Sequence, residues 1–349
     1  MIPIVLPPNV IEHFYRGGSR LAQLRGFEPH SAFLPEEWLA ATVHRAGHPD
    51  SGPSHLADGS LFSDLVAADP LGWFGDSEGG PAGKTDTGIL VKLLDADQRL
   101  PVHVHPDRPF AAQHLHSCYG KTEAWFVLAA DGPDAVVWLG FSQDVDPVEL
   151  AAAVDAQDSD WMLARLNRIE VRAGDGIFVP AGTAHAIGAG VFVVEVQEPT
   201  DLSIVLEWSV TTSGRDDSHL GLGLPQALQA VNHHATTQEI LRDLVLRGDD
   251  RTDGAVSDTA LPLLTSSADA FFRMDELAPQ DGIVGAAGGF SVLIVTDGAG
   301  TVSSPQGTIE VERGQVLAVP AGFGDWSAQG RVRIVRVRPG TEAPTAVTS

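Results

Sequence analysis

The chain reads as an all-β-dominated protein built from two β lobes with inserted and connecting α-helices. Three observations predict this. Runs rich in β-branched and aromatic residues are bounded by turn formers, turn residues are abundant (Gly 37 and Pro 23 in 349 residues), and one stretch is echoed late in the chain. The strand-like runs fall at 88–96, 99–105, 123–130, 135–141, 168–182 and 191–197, then again at 269–277, 290–298, 308–322 and 331–340. The echo lies between RIEVRAGDGIFVPAGTAHAI (168–187) and TIEVERGQVLAVPAGFGDW (308–326). Both read strand, charged-Gly turn, strand, Val-Pro-Ala-Gly. Such self-similarity implies two copies of one β unit. The second copy places Phe323, Gly324 and Asp325 where the first has Thr183, Ala184 and His185, so it keeps the turn and lacks the histidine.

Two stretches break the strand texture. DPVELAAAVDAQDSDWMLARL (146–166) has Pro147 near its start and apolar residues close to the helical period, which predicts a helix or helix pair between strands. LPQALQAVNHHATTQEILRDLVL (224–246) predicts another, with Pro225 in its first turn. The first 86 residues mix short apolar runs with Gly, Pro and acidic clusters, and 76–88 (DSEGGPAGKTDTG) reads as a loop. The expected division is a first lobe, 1–262, carrying the N-terminal extension and both helical segments. A C-terminal lobe without metal ligands, 263–349, follows.

Charge narrows the functional classes. Lys+Arg 22 against Asp+Glu 46 gives a net charge of −24, with no basic run to neutralise phosphates, so nucleic acid and anionic membrane are poor partners. The single cysteine, Cys118, cannot form an internal disulfide, and neither a signal-peptide pattern nor a membrane-length apolar span is present. A cytoplasmic protein is expected; the oligomeric state is not legible.

The chemistry concentrates on histidines and one glutamate. In HVH (103–105), strand alternation puts His103 and His105 on one face, so both imidazoles can point into one cavity. Glu123 opens the apolar run EAWFVL, and His185 follows the Pro-Ala-Gly turn. Imidazoles plus one carboxylate are what zinc and neighbouring first-row ions accept, which makes His103, His105, Glu123 and His185 the candidate ligands of one divalent ion per chain. His114 and His116 form a second H-x-H but fall in an expected loop. His233 and His234 are adjacent on an expected helix and point apart.

These residues carry a resemblance. LVKLLDADQRLPVHVHPD, GKTEAWFVL and GDGIFVPAGTAHAIGAGVFVVEVQEPTD resemble the core of type I mannose-6-phosphate isomerases, zinc-dependent enzymes with two cupin (jelly-roll) lobes. GGSRLAQLRGF and EEWLAAT resemble that family's opening segment, HLGLGLPQALQAV its connecting helix, and 308–326 its C-terminal cupin. The resemblance implies a metal set in which His105, Glu123 and His185 match directly and His103 stands at a glutamine position. It also implies that Lys121 and Lys92 match the family's lysines, and that Glu195 and Asp201 match acids implicated in proton transfer. One departure stands out: the family carries an arginine four residues after that aspartate, where this chain has Val205. Arg215 is the nearby candidate to replace its charge, while Arg172 reads as a solvated edge residue.

The expected activity is therefore aldose–ketose isomerisation of mannose 6-phosphate to fructose 6-phosphate through an enediol. Glu195 or Asp201 would shuttle the proton, and Lys121, Lys92 and Arg215 would face the substrate. The loss of the family arginine keeps open an isomerase of unphosphorylated or differently modified sugars. A non-catalytic sugar-binding protein of the same architecture is the reading from another class, and a cupin dioxygenase is a more distant one, since similar His/Glu sets bind iron.

Overall fold

The computed structural model describes residues 1–75, 83, 85–251, 260–342 and 344, without the side chains of 280 and 281. Much of the loop expected at 76–88 lies outside the described residues.

Two antiparallel sheets form the first lobe. One runs in the spatial order Val245–Leu246, Gly176–Val179, Glu123–Ala130, Val191–Gln197, Leu90–Asp95, Glu36–Leu39 and Val10–Ile11. The other runs Ile204–Val205, His103–Val104, His185–Ile187, Val136–Phe141 and Leu166–Glu170. VFVVEVQ is an interior strand buried along its whole length, as its β-branched composition predicts. Its register decides which residues share a face. Glu195 pairs with Lys92 on one side and Trp125 on the other, Gln197 pairs with Glu123, and Lys92 pairs with Trp38. Side chains alternate across a strand, so Glu36, Trp38, Lys92, Glu123, Trp125 and Glu195 all project from the same face of this sheet. The Trp125 ring lies 5.6 Å from the ring of His185, which comes from the other sheet, so the two faces meet at this level.

The C-terminal lobe is an eight-stranded antiparallel sheet dominated by two long strands, Ser291–Ser304 and Trp326–Pro339, with a register shift between Val295 and Asp297. Gly307–Glu312 and Val316–Val319 repeat the arrangement of Leu166–Glu170 and Gly176–Val179, as the sequence echo predicts. Its interior holds Leu277, Leu293, Leu317, Phe323 and Trp326 in one apolar cluster. The echo's phenylalanine thus fills space where the first lobe opens a polar cavity.

The boundary at 262/263 does not cut the fold into contiguous halves. Ile4–Leu6, expected in the first lobe, pairs with Val316–Val319 and adds a strand to the C-terminal sheet. The largest apolar cluster then runs from Trp125 and Val193 of the first lobe through Phe62 and Trp73 to Phe290 and Val292 of the second. The physical reason is an open sheet edge that a short N-terminal strand satisfies better than water.

Each expected helical stretch forms a pair of helices. Region 146–166 forms Pro147–Ala156 and Ser159–Arg165, capped by Asp146 and Asp158 and separated where Gln157 adopts φ 54°. Region 224–246 is not one helix: Leu224–Ala227 and the 3-10 turn Leu228–Ala230 stop before Gln238–Leu244, which Thr237 caps. Between them the backbone bonds to the first lobe instead of itself, Asn232 N to Gly182 O in a turn at 2.8 Å and Thr236 N to Phe141 O at a strand end at 2.7 Å. His233 and His234 lie in that break and not on a helix. Conversely, Arg108–Leu115 is a helix where a loop was expected, with Asp107 accepting from Phe110 N at 2.8 Å and Pro109 in the first turn. His114 sits on it, and His116 ends it at φ 54°.

Arg25 fastens the N-terminal segment to both lobes. Its Nε donates to the Glu37 carboxylate at 2.8 and 2.9 Å, Nη2 to Leu6 O at 3.0 Å, and Nη1 to Gly314 O in the C-terminal lobe. Burial pushes the Glu37 carboxyl up and Arg25 opposes that push. Removing the guanidinium strands a carboxylate that is 1% exposed, so Arg25→Met should cost about 3–5 kcal/mol. Denaturant unfolding checks this, and the double substitution Arg25→Met/Glu37→Leu should recover much of the loss.

Candidate metal centre and active site

His103, His105 and His185 converge so that one nitrogen from each lies within 4.8 Å of the others. His103 and His185 are direct cross-strand partners, and Val205 pairs with His103 on its other side. The outward ring nitrogen of every imidazole is held by a backbone carbonyl: His103 Nδ1 to Pro101 O at 2.9 Å, His105 Nδ1 to Leu202 O at 2.9 Å, and His185 Nδ1 to Thr183 O at 2.7 Å. A carbonyl can only accept, so Nδ1 carries the proton in each ring and the Nε2 lone pair points inward. That tautomer is the one a metal requires. Burial holds His103 well below the usual histidine range, and burial together with the Lys121 charge holds His105 at about 3, so both are neutral at ordinary pH.

Glu123 completes the set from the facing sheet. Its carboxylate lies 3.0 Å from His105 Nε2 and 3.2 Å from His185 Nε2. Burial works against its charge, yet the Lys121 ammonium keeps it well below the usual carboxylate range. His185 Nε2 and Glu123 Oε2 are buried without a properly directed hydrogen bond. Lys121 Nζ stands 3.0 Å from His105 Nε2 and 3.2 Å from Glu123 Oε2, a cation already placed among these donors. Three imidazole nitrogens and an ionised carboxylate, with His185 Nε2 left unpartnered, are a donor set that fits a divalent ion, which would stand where Lys121 Nζ now faces His105 and Glu123.

Behind this centre the sheet carries alternating charge. Lys92 Nζ lies 3.2 Å from Glu36 Oε2 and 3.6 Å from Glu195 Oε1, over the Trp38 ring. Burial opposes the Lys92 charge, but the flanking carboxylates raise its pKa above the usual lysine range. The two acids differ because their donors differ. Glu36 also receives the Tyr15 hydroxyl and, at 2.8 Å, Trp38 Nε1, and against its burial these partners and Lys92 keep it ionised. Among the described residues Glu195 has only Lys92 at ion-pair distance, and burial, helped by the Glu123 and Glu36 carboxylates, pushes it up to about 7. Glu195 can therefore change protonation near neutral pH.

A cavity of about 540 Å³ opens onto these groups, lined among others by Glu36, Lys92, His103, Lys121, Glu123 and Glu195. Its outer wall adds His13, Arg45, His48, Asp201, Val205 and Asp217. Of the residues expected from sequence, His103, Glu123, Lys121, Lys92 and Glu195 line this cavity, and His105 and His185 stand against His103 and Glu123 without lining it. Asp201 reaches the same cavity but is engaged as a cap, its Oδ2 accepting from Ala46 N at 3.0 Å. Arg215 does not line the cavity. It pairs with Asp155 at 2.5 Å beside the Trp208 ring, held away by a nearer carboxylate. Arg172 is exposed beside Asp249 at 3.9 Å, as a solvated edge residue should be. The Cys118 thiol, pushed up by burial, is not among the lining residues.

Sequence reasoning assigned no role to Glu36, His13 or Arg45. The alternation in EEWL does set Glu36 and Trp38 on one face, a readable hint that a glutamate points inward beside an aromatic. No spacing rule leads to His13 or Arg45, which arrive on loops.

No protein-family model matches the chain. A mannose-6-phosphate isomerase of Streptococcus mutans is 33% identical over 188 residues, 53% of this chain and 54% of that protein, so the match spans about half of that relative's length. A putative mannose-6-phosphate isomerase of Bacillus subtilis is 25% identical over 344 residues, covering 95% of this chain and 98% of the other. The solved structure of the mannose 6-phosphate isomerase from Bacillus subtilis matches with a TM-score of 0.73 at 22% identity, over 97% of this chain and all of that one, and so shares the fold.

His13 adds a pH dependence. Burial holds it at about 4, with the nearby Glu36 carboxylate raising and Arg45 lowering it. Its folded value lies below the ordinary 6.5, so the stability it contributes is complete above pH 6.5 and drains away as pH falls toward 4. Roughly 2 kcal/mol should be gone by pH 5. Melting curves of metal-free protein at pH 7.5 and 5 test this, with His13→Gln expected to show a shallower loss than wild type.

Proposed function

We propose that this chain, a relative of the mannose-6-phosphate isomerases in sequence and in fold, interconverts mannose 6-phosphate and fructose 6-phosphate with the help of one divalent ion. The observation that carries the reading is the convergence of His103, His105 and His185 on the Glu123 carboxylate, on the same cavity as Glu195, whose carboxyl is pushed up to about 7. His103, His105, His185 and Glu123 would hold the ion, and zinc suits three imidazoles and a carboxylate with a position left for substrate. When bound, such an ion supplies Lewis acidity where negative charge develops on the sugar's oxygens.

The chain's own residues account for the proton. Aldose–ketose exchange takes a proton from C2 of the opened sugar and returns one to C1, with an enediol between. A carboxylate titrating near pH 7 can both accept and return it. Glu195 would take that role, with Lys92 orienting it and Glu36 anchoring Lys92; the ion pairs at 3.6 and 3.2 Å support the reading. Asp201 is better suited to fixing the loop at Ala46 than to moving a proton. Trp125 and Val205 keep the wall beside the histidines apolar, which strengthens every electrostatic interaction within it. The single cysteine and the absence, among the described residues, of a helix long and apolar enough to cross a membrane support work in the cytoplasm.

Two measurements decide the matter. Zinc-loaded protein should convert mannose 6-phosphate, and chelation should abolish conversion and lower the melting temperature; folded, metal-loaded protein inert toward this substrate overturns the reading. Glu195→Gln should lower kcat about 10²- to 10⁴-fold at unchanged metal content. If it does not, and Glu36→Gln does, the base is Glu36.

A further inference from the structure

The cavity is lined by Arg45, Lys92 and Lys121 as its permanent cations among the described residues, and two of these are already neutralised. Lys92 lies between Glu36 and Glu195, and Lys121 stands against Glu123. Either one would have to leave a buried carboxylate to bind an external anion, a strongly unfavourable exchange. Val205, paired with His103, presents only methyl groups to the same wall. Arg215 is spent on Asp155.

Arg45 differs. Its Nη1 donates to the backbone carbonyl of Glu12 at 2.9 Å, and among the described residues no carboxylate lies within ion-pair distance of its guanidinium. The loop that carries it is built to hold it in place. Arg45 N bonds Ser51 O at 2.9 Å, His48 N bonds Arg45 O at 3.0 Å, and Ser51 N bonds His48 O at 3.0 Å. Gly52, at φ 118°, closes the loop where a Cβ would stand 2.6 Å from Val43 O. Asp201, on the same outer wall, accepts from the next residue, Ala46, so one oxygen of that carboxylate is engaged. Asp217 is the other acid at the rim, and it accepts weakly from Gly214 N at 3.4 Å. His48, Thr212 and Ser213 line the same mouth and offer further donors.

We propose that Arg45 binds the phosphate of the substrate, with His48 beside it, so that the sugar extends from this rim toward the histidine centre. The assignment rests on the sugar-phosphate reading above and names the residue that makes this acidic chain select a phosphate ester. A planar guanidinium with one edge fixed by a carbonyl and the rest unpaired is preorganised for a phosphate oxygen pair.

The test titrates zinc-loaded wild type, Arg45→Ala and Arg45→Lys with mannitol 6-phosphate, which cannot isomerise, by calorimetry, and follows mannose 6-phosphate turnover in parallel. Melting temperature and metal content should match across the variants. Arg45→Ala should weaken mannitol 6-phosphate binding roughly ten- to hundredfold and raise KM for mannose 6-phosphate in proportion, with Arg45→Lys recovering part of the loss. Equal affinity in Arg45→Ala and wild type, or a wild type that binds no mannitol 6-phosphate, overturns the assignment. Arg45-dependent binding in a protein that turns over no mannose 6-phosphate leaves the phosphate subsite standing and rejects the isomerase reading instead.

Discussion

The site depends on the pairing of charges buried between two sheets. An ionised side chain removed from water is tolerated only when an opposite charge and directed hydrogen bonds replace its hydration. Lys92 meets that condition between Glu36 and Glu195, and Lys121 meets it against Glu123. Because Lys92 lies nearer Glu36, which also receives Tyr15 and Trp38, the remaining acid is left under-solvated. An imbalance in donors, rather than any special property of glutamate, sets Glu195 apart.

The two lobes show what one β unit can be made to hold. Each has two strands joined by a charged-Gly turn and followed by Val-Pro-Ala-Gly. In the first, the turn leads into His185, whose ring is fixed by Thr183 O. In the second, it leads to Phe323, which is 1% exposed within an apolar cluster. A separate apolar cluster through Trp73 and Phe290 joins the two lobes. Arg25 adds a polar fastening at the same junction.

Much of this was legible along the chain. HVH could be read as two inward imidazoles because strand alternation is local geometry, and His185 could be found because its turn is repeated at 308–326. The strands themselves were readable from β-branched runs. Helical texture was less faithful: 224–246 has the composition of a helix, but Asn232 bonds to the turn at Gly182 and Thr236 to the strand end at Phe141. Arg215 was the natural replacement for a missing cation by proximity in sequence, yet Asp155 holds it on the surface while Arg45, far away in sequence, lines the cavity.

By itself the sequence determined the β-rich architecture, the internal repeat, and which side chains bear metal-binding chemistry, because alternation, turn chemistry and residue type act over a few residues. Only the tertiary structure decided that Ile4–Leu6 belongs to the far lobe, that burial pushes Glu195 up to about 7 while Glu36 stays ionised, and that Arg45 reaches the cavity with no carboxylate among the described residues at ion-pair distance. Burial, the number of donors around a carboxylate, and the nearest opposite charge are set by strand register and loop placement across the whole fold, and no local stretch of residues encodes them.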